Sequence, residues 1–155
     1  MQNKGRVLRM SIFWLLAIGW IAVLFFFSGQ TAVESSALSG WVVDFIRGVF
    51  PFNRIPADQL THVVRKLAHF CIFAVEGFLL CLATAESFQD VSVGAVLSVI
   101  ACTALAAANE LHQMFFEGRS CEGRDMLIDA GGALLGVGAA LLLHIIRRRK
   151  RARKK

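Results

Sequence analysis

Three stretches of this 155-residue chain place ionisable side chains at the edge of long apolar runs, or inside them. Arg65, Lys66 and His69 open one run, and Glu76 lies within it. Asn109, Glu110, His112 and Gln113 close the next. Arg119, Arg124, Asp125 and Asp129 lead into the last. Guanidinium and ammonium groups beside carboxylates can grip an anion, neutralise one another, or stabilise charge in a transition state. A histidine among them can move a proton.

Helical spacing sorts these groups into faces. Arg65 and His69 are i,i+4, and His69, Phe73 and Glu76 are i,i+4,i+7. Glu110 and Gln113 are i,i+3, and Asp125 and Asp129 are i,i+4. The Asp125/Asp129 stripe continues as Gly132, Gly136 and Ala140, small residues that let another helix approach closely. Its carboxylates are therefore expected to face a helix bundle. A carboxylate in the hydrocarbon costs roughly 2.5–3.5 kcal/mol on insertion scales, so Glu76 and Asp129 need partners or protons. Two readings follow. In one, Arg65, Lys66, Arg119 and Arg124 neutralise Glu110, Asp125 and Asp129 and clasp three helices. In the other, the groups form a pocket for a polar or anionic headgroup.

Other chemistries have less behind them. His62, His69 and the carboxylates lack the His-x-x-x-His or Glu-x-x-His spacing of familiar metal sites, so neither metal nor cofactor is expected. Ser120 and Cys121 have no activating base beside them in sequence. Cys71, Cys81 and Cys102 lie in apolar runs and read as small hydrophobes.

The elements that must position these residues are membrane spans. Hydrophobic residues make up 56% of the chain, charged residues 18%, and mean hydropathy is +0.59, which excludes an ordinary soluble globule and a disordered chain. Met10–Phe27, Leu67–Ala85, Val91–Ala108 and Met126–Ile146 hold 18, 19, 18 and 21 residues. About 20 helical residues cross a bilayer core. No run alternates with the period of a barrel strand. The expected fold is all-α: four transmembrane helices over residues 1–146, then a basic tail, 147–155. The first run is too long for a signal peptide's apolar core and reads as an uncleaved anchor.

Between the first two spans, Leu38, Trp41, Val42, Phe45, Val49 and Phe50 recur at helical spacing, with Asp44 and Arg47 opposite. That predicts a short amphipathic helix on the outer leaflet, ended by Pro51 and Pro56. The net charge of +6 is a property of the tail: its eight basic residues removed, the remainder carries −2. No nucleic-acid surface follows. With both termini cytoplasmic, 11 basic residues lie inside and 6 outside, the orientation that the positive-inside rule favours. The polar groups then collect at the outer face.

The order Arg65-Lys66-Leu67-Ala68-His69-Phe70, Asn109-Glu110-Leu111-His112-Gln113, Gly118-Arg119-Ser120 and Asp125-x-x-x-Asp129-x-x-Gly132 resembles the VanZ-like membrane proteins. Phe27-Ser28-Gly29-Gln30 is similar to that family's Ser-x-Gln segment, and the resemblance covers roughly Phe13 to Leu143. It implies a bacterial plasma-membrane protein, in a family named for low-level teicoplanin resistance. Phe73 stands where the family commonly has tyrosine. The leading expectation is a binder of an anionic or amphiphilic envelope component, whether glycopeptide antibiotic, lipid-linked intermediate or phospholipid. Arg65, Lys66, His69, Glu76, Glu110, Gln113, Arg119, Asp125 and Asp129 are its candidate ligand-binding residues. One alternative is an enzyme acting on such a lipid, with His69 or Glu110 as general base and Lys66 and Arg119 stabilising charge. Another is a structural or partner-binding bundle that oligomerises through Gly132 and Gly136.

Overall fold

In a membrane, long apolar runs leave the backbone no partner but itself, and in this chain they form helices. The computed structural model describes residues 2–49 and 55–153. It contains α1 (Gln2–Ser28), α2 (Ala32–Val49), α3 (Ala57–Phe88), α4 (Val91–Gln113) and α5 (Gly123–Ala152). Four of these, α1, α3, α4 and α5, are long and apolar enough to cross a membrane, and no strand occurs among the described residues. The expected all-α, four-span architecture is the one observed. Phe50, Pro51 and Arg54 of the first connection, and Lys154 and Lys155 of the tail, lie outside the described residues.

The helices run past their apolar cores. α3 begins ten residues before Leu67, so Arg65 and Lys66 are helical residues with a fixed bearing. Asn109, Glu110, His112 and Gln113 belong to α4, and the polar connection to α5 shrinks to residues 114–122. Gly118, at φ 74, turns that connection back, and Ala32 N–H donates to Glu117 O at 3.1 Å. The loop is thereby tied to the start of α2.

α3 is the central element, and its seam with α5 is built from small residues. A Cβ on Gly132 would collide with the Phe70 carbonyl, one on Gly136 with the Ala74 carbonyl, and one on Gly77 with the Ala133 carbonyl. In a membrane, close packing of this kind substitutes for the hydrophobic drive available in water. The Gly132/Gly136 stripe is thus occupied by α3 of the same chain. The oligomer contact expected from it is taken up internally. Around the seam, Phe73, Leu80, Cys102, Ala106 and Ala133 join Ala17 and Leu24 of α1 in one buried cluster. Leu15, Phe26 and Leu127 point outward and are at least 70% exposed, as lipid-facing side chains should be.

At the end carrying both termini, Arg9 pairs with Glu86 at 2.9 Å, and Trp14 Nε1 donates to Ser87 Oγ at 3.0 Å. Asp90 caps α4 by accepting from the Ser92 and Val93 amides. α2 opens with a capping box: Glu34 N–H donates to Thr31 Oγ1 at 3.3 Å, and Thr31 N–H donates to Glu34 Oε2 at 2.8 Å. α2 meets the bundle through Ser35, Ser39 and Val43, while Trp41, Phe45 and Val49 stay exposed. The amphipathic pattern is present, with Trp41, Phe45 and Val49 turned away from the protein and Leu38 and Val42 at the edge that borders the bundle.

Candidate functional site

Lys66 stands on α3 one turn before Phe70, whose carbonyl marks the close approach of α5. It meets Asp125 in an ion pair, and Glu122 lies 4.0 Å from the same ammonium. One turn deeper, His69 Nδ1 lies 3.6 Å from Asp129 Oδ1. The i,i+3 spacing of Lys66 and His69 on α3 thus meets the i,i+4 spacing of Asp125 and Asp129 on α5 rung against rung. Asp129 is fully buried, with Asn109 of α4 as its other polar neighbour.

Glu110 has a different role from the one its charge suggests. Its Oε2 accepts from the Glu122 backbone N–H at 2.8 Å, at the entry to α5. A carboxylate there satisfies a backbone donor that has no intrahelical partner and complements the helix dipole. Glu110 Oε1, both polar atoms of the Asn109 side chain, Gln113 Nε2 and both Asp129 oxygens are buried with no hydrogen-bond partner among the described residues. Buried polar atoms are nearly always satisfied, so this concentration at one end of the bundle marks a place built for polar company.

Arg119 departs furthest from expectation. The sequence suggested pairing with the carboxylates; instead, its Nε donates to the Gln30 carbonyl at 3.2 Å, in the turn between α1 and α2. Its Nη2 is buried without a hydrogen-bond partner among the described residues. Burial, and then the charge of Arg65, hold its pKa below the usual guanidinium value, against the opposing pull of Glu110 and Asp125. Arg65 has a contact to His62 Nδ1 at 3.4 Å. Neither guanidinium has a carboxylate within ion-pair distance among the described residues.

A cavity of about 280 Å³ opens beside Arg65 and beside Gln30, whose carbonyl anchors Arg119. Arg65, His69 and Gln30 stand at its polar side, and Phe27, Leu38, Val42, Val64 and Ile72 form an apolar wall between α1, α2 and α3. Ser35 and Ser39, the buried serines of α2, also line it.

Seven of the nine expected ligand-binding residues come to this end of the bundle through direct contacts or shared charge: Arg65, Lys66, His69, Glu110, Arg119, Asp125 and Asp129. Gln113 lies one turn beyond Glu110 and is buried. Glu76 is not brought to them. It is fully buried two turns deeper on α3, with both oxygens unpartnered among the described residues, and Cys102 is a titratable neighbour. Among the described residues, no group of three or more His, Cys, Asp or Glu side chains is arranged to hold a metal ion.

Sequence reasoning missed the partners of the loop. Ser28 Oγ lies 3.5 Å from His112 Nδ1, and His112 is flanked by the rings of Phe25 and Phe116. Gly29 sits under this cluster, where a Cβ would come within 3.3 Å of Phe116. The available signal was the Phe27-Ser28-Gly29-Gln30 segment itself, polar and small directly after an apolar run.

A family model described as VanZ/LLP1 matches residues 13–144. No curated protein and no solved structure matches the chain.

Proposed function

The chain belongs to the VanZ/LLP1 family, and from that premise we propose that it binds an anionic amphiphile of the bacterial cell envelope. It is a multi-pass membrane protein of a family associated with glycopeptide resistance. The observation that carries the proposal is the guanidinium pair Arg65 and Arg119, without carboxylate partners among the described residues, together with the apolar cavity between α1, α2 and α3 that Arg65 lines. Two neighbouring guanidiniums repel, and a phosphate or carboxylate between them relieves the repulsion and takes the free donors. The apolar wall suits the first part of a lipid chain. Arg65, Arg119, His69 and Gln30 form the headgroup end. Lys66, Asp125, Asp129 and Glu110 hold α3, α4 and α5 in register around it.

In this reading the protein lies in the plasma membrane with both termini cytoplasmic, an orientation supported by the 11 of its 17 basic residues that would then lie inside. The pocket then opens at the outer leaflet. A reporter fused after Lys155 that is active only outside the cytoplasm overturns that orientation.

The test of the binding reading uses purified protein in neutral micelles with a fluorescent polyprenyl phosphate, the uncharged polyprenol, and teicoplanin. The phosphate should bind more tightly than the alcohol. Arg119→Gln and Arg65→Gln should each weaken it about tenfold or more, the worth of a hydrogen bond to a charged group. Equal binding of phosphate and alcohol overturns the proposal.

The His69–Asp129 contact favours a second reading, in which a carboxylate orients an imidazole for proton transfer to a bound lipid. Glu110 is a poorer base, because one oxygen is engaged by a backbone amide. Release of product from labelled envelope lipids, abolished by His69→Ala, would establish turnover.

A further inference from the structure

The opposite end of the bundle holds a second cavity, of about 240 Å³, bounded by α1, α3, the α3–α4 turn and α5. Ala140, Leu143, His144 and Arg147 all line it, and their spacing i, i+3, i+4, i+7 places them on one face of α5. That face changes from apolar to cationic over about 10 Å along the axis. Phe13, Leu82 and Ala85 complete the apolar wall.

The charges around this cavity are unevenly settled. Glu86 also lines it, but both its oxygens are engaged by Arg9, at 2.9 and 3.3 Å. Arg147 has no ion pair among the described residues. It opens the basic run Arg147 to Lys155, and Lys4 and Arg6 lie on the same end through α1. A groove that is apolar at its floor and carries a guanidinium and an imidazole at its mouth is complementary to an anionic phospholipid, from its apolar tail to its negative phosphate.

We propose that this cavity is a binding site for one anionic phospholipid from the leaflet facing both termini. The phosphate is taken by Arg147 with His144, and the upper part of one acyl chain lies against Phe13, Leu82, Ala85 and Leu143. This goes beyond general attraction of a basic tail to an anionic surface. Surface attraction is spread over all the tail residues and screened by salt, whereas a seated lipid depends on the cavity face alone.

The experiment is native mass spectrometry of the full chain released from micelles containing phosphatidylglycerol or phosphatidylcholine. Wild type should retain one phosphatidylglycerol and little phosphatidylcholine. Arg147→Glu removes one charge and adds an opposed one, and should lower retention more than tenfold. Leu143→Trp fills the groove with the charge unchanged and should do the same. Arg149→Glu, two residues on and on another face of the helix, should retain the lipid as wild type does. Should Leu143→Trp fail to fold, Arg147→Glu, an exposed change, still decides. Equal retention of the two lipids, equal losses for Arg147→Glu and Arg149→Glu, or no loss in Arg147→Glu overturns the proposal.

Discussion

Gly136→Ala is the smallest change that should separate α5 from α3, and its consequences reach the polar cluster. The new Cβ would meet the Ala74 carbonyl oxygen, and would lie 2.8 Å from both the Ala74 carbonyl carbon and the Phe78 amide nitrogen. Ordinary contact begins near 3.4 Å, and all three atoms are backbone, so no side chain can rotate away. The helices must part by more than half an ångström. Overpacking of this kind costs about 1–3 kcal/mol. Asp129 is seven residues away on the same face, and parting the seam pulls it from His69, now at 3.6 Å. Gly138 provides the control. A Cβ there has nothing within 4 Å, so Gly138→Ala should be neutral, or stabilising by about 0.5–1 kcal/mol through the loss of glycine's backbone entropy. Unfolding in mixed dodecyl maltoside–SDS micelles, followed by circular dichroism, reads the difference. Binding of the polyprenyl phosphate should fall in Gly136→Ala and hold in Gly138→Ala. Indistinguishable unfolding of the two variants would refute the reasoning.

Lys66→Met and Asp125→Asn should be non-additive by at least about 0.5 kcal/mol in the same unfolding assay, because the pair is only about a quarter exposed (23% and 25%) and joins α3 to α5; additive costs would mean that the ion pair holds nothing together. Two hydrogen bonds donated by Thr31 hold the Glu34 carboxyl below its ordinary value of 4.5, so its support of α2 should be complete above pH 4.5 and fade as pH falls through the lower, folded value. Trp41 emission followed against pH with and without Glu34→Gln, in a chain whose Trp14 and Trp20 are replaced, tests this, and identical acid profiles would refute it. With Trp14 and Trp20 replaced, Trp41 should be quenched by shallow lipid labels, since it is turned away from the protein; quenching by aqueous iodide alone would place α2 in water instead.

What the sequence displayed was whatever a single helix determines alone. Apolar run length located the four spans, and helical spacing put the Asp125/Asp129 stripe on a bundle-facing side, where it meets Lys66 and His69 because it continues into the small-residue seam that fixes the rotation of α5 on α3. Glu76 shows where that logic stops. It shares a stripe with His69, yet seven residues of helical rise carry it into the apolar centre beside Cys102. Arg119 and Glu110 were illegible for another reason. Their hydrogen-bonding partners are backbone groups, the Gln30 carbonyl and the Glu122 amide, and a residue's type says nothing about which backbone group will come near it. α2 illustrates the same limit. Its pattern identified the apolar face, but which face meets the bundle depended on Ser35 and Ser39, small enough to approach α3.

The sequence left a clasp and a ligand pocket as rival readings of one set of charges, and the proposed function divides them between different residues. Asp125 is met by Lys66, Asp129 by His69, and Glu110 by the amide at the entry to α5. Each of these contacts crosses between two helices, so removing one partner strands a charge where solvation is poor. Arg65 and Arg119 make no such crossing contact with a carboxylate. Arg119 is instead anchored through Nε, which fixes the plane of its guanidinium and leaves Nη2 buried with no hydrogen-bond partner among the described residues. Holding two like charges near each other in a partly buried site is unfavourable for the empty protein. A fold that needed only a clasp would gain by replacing either arginine with an apolar residue. On the binding reading proposed above, an anion between them would relieve that repulsion, and the apolar wall of the nearby cavity suits an anion that carries a hydrocarbon chain.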